Sequence, residues 1–324
     1  MAKQSTWSSQ GVHIDPAETE PDPQSWHPDW TDAFESPEME TYRSALKLGD
    51  LDVRDSVLKE LSDYHGVSAQ EALMRCLNWE DWSVEEWKAA DRSTDEGILD
   101  FYHTVKSWAF DLMWYAYLQA TGHAFPASVA AVRFAMDNAP GRDHLDFGSG
   151  TGTTAALFSR LGFRTAMADV SEPLLDYATW RLDLHGDRAA RIDLNTESLP
   201  TDAYDIITAL DTLVHVPDFD ATARDLRRSL RPGGYLLANF DVREKDDHGS
   251  LWHLHNDLNV LDHRLKAAGF VRTRKLAELT CCYVAVDTGR LSFKAATVAD
   301  AAALPLKRVK RRGRSIVGGL RRSR

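Results

Sequence analysis

The sequence predicts an α/β protein: a doubly wound, mostly parallel sheet of seven strands behind an N-terminal helical unit. Three observations carry this. Beyond residue 142, seven short apolar runs alternate with segments of helical length. Between 41 and 140, apolar and aromatic side chains recur at helical intervals. A glycine-rich turn, Gly148-Ser-Gly-Thr-Gly152, directly follows the first of the seven runs. In parallel sheets that position faces the ligand.

In order along the chain, residues 1–40 carry nine acidic side chains against Lys3 alone. Rich in Pro and Ser and lacking any period, they read as an acidic, largely disordered arm. The helical unit follows at 41–140. Three capping boxes, Ser68-x-x-Glu71, Ser83-x-x-Glu86 and Ser93-x-x-Glu96, pair a hydroxyl acceptor with a carboxylate that can reach back. Gly66 offers a stop before the first of them. Phe101, Val105, Trp108, Leu112 and Tyr115 form one apolar stripe on a helix predicted over about 95–119. Predicted strands then occupy 144–147, 163–168, 190–194, 204–210, 235–240, 271–276 and 280–286. Helices at about 153–160, 172–184, 220–230 and 256–268 separate them, and Pro173 stands where a first helical turn tolerates it. The sheet unit spans 141–290, and 291–324 reads as a basic tail with nine Lys or Arg and no acid after 304.

Charge and composition exclude several classes. The net charge is -11, so an acidic body repels phosphate backbones and leaves only the tail for anionic surfaces. No apolar run approaches the ~18 residues of a membrane span, and the first residues lack a secretory apolar segment. Cys76, Cys281 and Cys282 contain no C-x-x-C, so neither a disulfide framework nor a zinc ribbon is encoded. A reducing, cytoplasmic setting is the expectation.

The chemistry concentrates in His144-Leu-Asp-Phe-Gly-Ser-Gly-Thr-Gly152. Glycines let a backbone turn tightly against a ligand, and a helix starting near Thr153 favours an anionic group. A dinucleotide fingerprint requires G-x-G-x-x-G. Here Thr153 fills its last position, and what stands is G-x-G-x-G preceded by Asp146.

On Leu145-Asp-Phe-Gly-Ser-Gly-Thr-Gly152 the chain resembles the class I S-adenosylmethionine-dependent methyltransferases, over roughly 142–287. The resemblance implies a Rossmann-like methyltransferase fold with a helical lid, and S-adenosyl-L-methionine as cofactor. Gly148, Gly150 and Gly152 would pack on the methionyl part, and Asp146 would help hold its ammonium group. The acid ending the second strand, Asp169 in Met167-Ala-Asp-Val170, would accept from both ribose hydroxyls. Asp193 would accept from the adenine amino group and the Leu194 N–H would meet a ring nitrogen, with Asn195 competing for that register. Tyr204 to Asp218 resembles the family's fourth strand and its exit, with Asp211 at the carboxyl edge and His215 a turn later. Leu230-Arg-Pro-Gly-Gly-Tyr-Leu-Leu237 resembles the block that follows. No Asn/Asp-Pro-Pro-Tyr/Phe tetrapeptide and no Pro-Cys pair follow the fourth strand, which speaks against a nucleic-acid substrate.

The function this implies is methyl transfer to an N or O nucleophile of a small molecule. A protein or RNA recruited by the tail, and a non-catalytic cofactor-binding protein, are the alternatives. Candidate catalytic residues are His215 and the pair His253 and His255, whose alternation puts both rings on one side of an extended chain. The histidine segment also reads as a substrate wall or solvated loop, or as a metal pair completed by Asp241 or His215. The aromatic stripe around Tyr102, Trp108, Trp114 and Tyr115 reads either as core or as a cap over cofactor and substrate.

Overall fold

A computed structural model describes residues 15–240, 242 and 251–286. The start of the acidic arm, Asp241 and the basic tail lie outside these residues. Eight described helices precede the sheet: α1 (Pro28–Phe34), α2 (Pro37–Ala45), α3 (Val53–His65), α4 (Ala69–Leu77), α5 (Trp79–Ala89), α6 (Asp95–Thr104), α7 (Trp108–Thr121) and α8 (Ala127–Asn138). The sheet then alternates β1 (Asp143–Phe147), α9 (Thr153–Arg160), β2 (Arg164–Asp169), α10 (Glu172–His185), β3 (Ala190–Asp193) and β4 (Tyr204–Ala209). It finishes with α11 (Phe219–Ser229), β5 (Leu230–Ala238), α12 (Leu258–Ala267), β6 (Phe270–Leu276) and β7 (Thr280–Ala285).

The strand order is β3-β2-β1-β4-β5-β7-β6, and β7 alone runs antiparallel to its neighbours. The order reverses between β1 and β4, so their carboxyl ends open a crevice for a ligand. β1 and β4 are buried on both faces, as continuous apolar strands covered by helices must be. The doubly wound, mostly parallel sheet is the one the sequence predicts.

Three local expectations fail, each for a physical reason. The arm is ordered over 28–45, where Pro28 and Pro37 open two short helices behind the caps His27 and Ser36. Met39 and Tyr42 are fully buried there, and the acids are tied down: Asp29 pairs with Arg274 at 3.0 Å and accepts from Ala277 N at 2.8 Å. Asp15 pairs with Arg54 at 2.6 Å. The helix predicted over 95–119 is two helices. Glu86, taken for the back-reaching member of a box, instead accepts from the N–H groups of Lys106 and Ser107 at 3.1 and 3.2 Å and breaks the stripe there. Ser83 lies inside α5 and bonds Ser107, and Thr94 rather than Ser93 caps α6. The Ser68 cap and the Gly66 stop are present, with Gly66 at φ 65°.

Helical unit and sheet meet across a buried charge cluster. Arg181 of α10 and Glu60 of α3 pair at 2.8 Å with both side chains 0% exposed, and His185 reaches the other Glu60 oxygen at 2.6 Å. Removing the carboxylate leaves a buried guanidinium uncompensated, so Glu60→Ala lowers the unfolding free energy by about 3–5 kcal/mol. Urea denaturation measures this. A loss below about 1 kcal/mol would show that the cluster does not join the two units.

Candidate functional site

At the carboxyl end of β1 the chain turns through Gly148 (φ 68°), Gly150 (φ 53°) and Gly152 (φ 72°) before α9. These left-handed values suit glycine, and at Gly148 the space is also closed to a side chain, whereas at Gly150 the end of Leu112 would have to move. A Cβ on Gly148 would stand 2.1 Å from Thr212 Cγ2, and one on Gly150 2.6 Å from Leu112 Cδ1. Gly152 is held differently: a Cβ there would meet Ala178 Cβ and the Met167 sulfur at 3.1 Å, so it serves the packing of α9.

Asp169 ends β2 and anchors the loop. Its Oδ2 accepts from the Gly150 N–H and its Oδ1 from the Ser171 N–H, both at 2.9 Å. Burial pushes its carboxyl above the ordinary range, while these backbone donors pull it down. Each oxygen keeps a lone pair for a ligand hydroxyl.

The cavity over this loop has an empty volume of about 1180 Å³, open mouth included. Gly148, Gly150, Asp169, Val170, Leu194, Asp211, His215 and His253 of the predicted residues line it. Asp211 stands at φ 55°, its N–H held by Asn239 Oδ1 at 2.8 Å. The opposite wall comes from the helical unit, including Tyr102, Trp108, Leu112 and Tyr115. The stripe is therefore core and cap at once, whereas Trp114 is buried on the other side of α7.

Four predicted residues do not reach the cavity wall. Asp146 lies beneath the loop, 3% exposed, and its Oδ1 accepts from Thr208 Oγ1 at 2.8 Å. Thr208 in turn meets His144 Nε2 at 2.8 Å, so with Thr208 donating to Asp146 that nitrogen carries the hydrogen. Burial pushes the Asp146 carboxyl up to about 7, against the Thr208 bond and the Ala155 N–H. Burial also keeps His144 neutral by pulling it well below its ordinary value. Gly152 is the second. Asp193 is the third: its Oδ1 accepts from both nitrogens of Asn195 and closes a turn. Although Leu194 lines the cavity, its N–H donates to the Asp169 carbonyl at 3.0 Å and is not open to a ring nitrogen.

His255 is the fourth. The segment at 251–257 is a loop pinned to the exit of β4, not a strand, so the alternation does not hold. His255 Nε2 donates to the Val216 carbonyl at 2.8 Å and its ring packs on Phe219. His215 and His253 instead face each other with ring centroids 4.7 Å apart. His215 Nδ1 lies 3.1 Å from the Trp252 carbonyl, which also accepts from the Tyr102 hydroxyl at 2.6 Å. A carbonyl partner makes Nδ1 the protonated nitrogen, leaving Nε2 as the acceptor. Among the described residues no group of three or more His, Cys, Asp or Glu is arranged to hold a metal.

Thr212, Trp79 and Trp252 line the cavity and were not singled out from the sequence. Only Thr212 left a signal, as the residue after Asp211 in the β4 exit that the Gly148 turn must meet.

The sequence profile of a methyltransferase domain family matches residues 122–273, from the end of α7 through β6. A ubiquinone/menaquinone biosynthesis C-methyltransferase, UbiE, of Shewanella frigidimarina is 33% identical over 159 residues, 46% of this chain and 60% of that protein. Methyltransferase GfsG of Streptomyces halstedii is 36% identical over 114 residues, 33% of this chain and 41% of the other. The chain thus spans less than two thirds of either relative. A phosphoethanolamine N-methyltransferase 2 from Haemonchus contortus, solved with S-adenosyl-L-methionine, is 20% identical, covering 56% of this chain and 43% of its own at a TM-score of 0.42. Over residues 122–273, just under half of its length, the chain is thus similar to the S-adenosylmethionine-dependent methyltransferases that its sequence motifs resemble.

Proposed function

We propose that this protein moves the methyl group of S-adenosyl-L-methionine to an N or O nucleophile of a small molecule. The observation that carries this reading is the convergence of the Gly148–Gly150 turn, Asp169 and the aromatic lid on one cavity. The two glycines leave a cradle a Cβ would fill, and Asp169 keeps an acceptor on each oxygen for a vicinal diol. Those features fit the cofactor: Gly148 and Gly150 for its amino-acid end, Asp169 for the ribose, Val170 and Leu194 for the flat face of the base. Asp146 acts from below the loop as a negative charge toward the ammonium group.

When bound, the cofactor supplies an electrophilic methyl on a sulfonium, whose carbon–sulfur bond breaks as the acceptor's lone pair bonds the carbon and the sulfur leaves as a neutral thioether. The chain's own work is to align the acceptor and exclude water, which supplies ~7–11 kcal/mol of barrier lowering in well-oriented systems. His215, fixed by its Nδ1–H bond to the Trp252 carbonyl, takes the proton of the nucleophile on Nε2. His253, stacked edge-on at 4.7 Å, walls the same spot. UbiE is named a C-methyltransferase, so a carbon nucleophile is the second reading, and the methylated product separates the two.

Small acceptors are favoured because residues of the helical unit wall the cavity opposite the glycine turn, and a nucleic acid is disfavoured by the net charge of -11. Among the described residues no helix is long and apolar enough to cross a membrane. The free, buried thiols of Cys76, Cys281 and Cys282 fit a reducing cytoplasm.

Calorimetry tests the reading directly. S-adenosylmethionine and S-adenosylhomocysteine should both bind, and no measurable affinity for either would end it. Asp169→Ala removes a charged acceptor and frees the loop, so S-adenosylhomocysteine binding weakens by about 100- to 10,000-fold, the equivalent of two lost bonds to a charged group.

With an acceptor identified, His215→Ala lowers kcat by about 100- to 10,000-fold. The acidic limb of the pH–rate profile disappears with it. An unchanged profile would remove His215 from the proton transfer.

Asp146 makes a pH prediction. Its native carboxyl stands at about 7 against an ordinary 3.8, so the native state holds an extra proton between those values and stability falls as pH rises through them. Asp146→Asn, free of ligand, is therefore more stable than the parent at about pH 8, and the gain fades toward about pH 4. Urea midpoints at both pH values measure it, and a destabilised variant at the higher pH would contradict it.

A further inference from the structure

The carboxyl beneath the glycine turn is only half answered by the protein. Asp146 Oδ1 accepts from Thr208 Oγ1 at 2.8 Å, whereas Oδ2 is buried without a hydrogen-bond partner, as is the hydroxyl of Ser149 in the turn. The groups packed around it supply no cation. On β1 itself stands His144, held neutral by burial; β4 brings Thr208, and α9 the Ala155 N–H. The charged side chain that acts on it is Asp169 of β2, a like charge that also lines the cavity. An ionised Asp146 therefore has to be compensated from outside the chain. In the empty protein a proton does this, and burial holds the carboxyl at about 7. A cation in the cavity does the same work from across the turn.

We propose that Asp146 releases its proton to solvent when S-adenosyl-L-methionine binds and regains it as the ligand's positive charge is lost, so that this residue tells cofactor from product. This rests on the methyl-transfer reading and adds a specificity-determining residue to it. Transfer of the methyl group removes the sulfonium charge and leaves the ammonium, so the product compensates Asp146 less well. The carboxyl is the stronger acid in the complex, so below about 7 the free protein holds a proton that the complex has given up. Affinity for the cofactor accordingly falls on acidification through that range and levels off above it, and the fall is shallower for S-adenosylhomocysteine.

The test is calorimetry of the full chain at about pH 6.5, where the ligand's own amino group is already charged, in two buffers of unlike ionisation heat. S-adenosylmethionine should release more than about half a proton per site, and S-adenosylhomocysteine less. Between about pH 7 and pH 5.5 affinity for S-adenosylmethionine should weaken at least about threefold, and Asp146→Asn should abolish both the release and the dependence. In the parent, the infrared carbonyl band of a neutral carboxyl should fade as the cofactor is added, a readout that needs no variant. No proton release from the parent, release that persists in Asp146→Asn, an unchanged carbonyl band, or equal release with both ligands would overturn the inference and leave methyl transfer standing. Failure of both ligands to bind the parent would remove both.

Discussion

Two backbone N–H groups, those of Gly150 and Ser171, converge on the carboxylate of Asp169, and this convergence decides where the loop after β1 stands relative to the loop after β2. Neither donor has a partner within a helix or strand at that point, so without the carboxylate both would be buried unsatisfied. The carboxylate is itself buried and would favour its neutral form without those donors. Each side of the arrangement is stable only because the other is present. A site built this way is oriented before a ligand arrives, and binding then avoids the entropy of ordering the loop.

The helical unit is fastened to the sheet at several separate places rather than hinged at one. Glu60 reaches Arg181 and His185 on α10, Asp29 reaches β6 and the turn after it, and the Tyr102 hydroxyl reaches the loop after β5. The break at 105–107 is part of the same design. Glu86 receives two N–H groups at the head of α7 and lets α6 and α7 diverge, so Tyr102 and Trp108 both reach one cavity. A continuous helix would have kept the stripe but could not have curved it around a ligand.

Much of this was legible because the relevant constraints are local. Every sheet element has a run of apolar residues or a cap of its own, and the glycine turn sits between a strand and a helix that both declare themselves. Gly148 and Gly150 follow from that order, and Asp169 from the resemblance of Met167-Ala-Asp-Val170 to the family's second motif. What the sequence hid was set at a distance. Asp193 is drawn into a turn by Asn195, and His255 is taken by a carbonyl 39 residues away. Glu86 caps a helix that starts 22 residues later instead of its own. The acidic arm misled for the same reason, since partners such as Arg54 and Arg274 are invisible in a stretch read by composition.

The layer beneath the glycine turn explains why a costly carboxylate is kept out of reach. His144, Thr208 and Asp146 form a buried chain whose hydrogens run toward Asp146, so the chain favours the ionised carboxylate while burial opposes it. Asp169 adds a second negative charge that raises Asp146 further. Two buried carboxylates around one loop are a poor arrangement for an empty protein and a good one for a ligand bearing both an ammonium and a sulfonium. A positive ligand relieves the repulsion between them and makes ionisation of Asp146 favourable, whereas a neutral or anionic nucleotide would leave it in place. Selection for positive charge is therefore exerted partly from under the loop, by Asp146, a group that need not touch the ligand, in concert with Asp169 on the cavity wall.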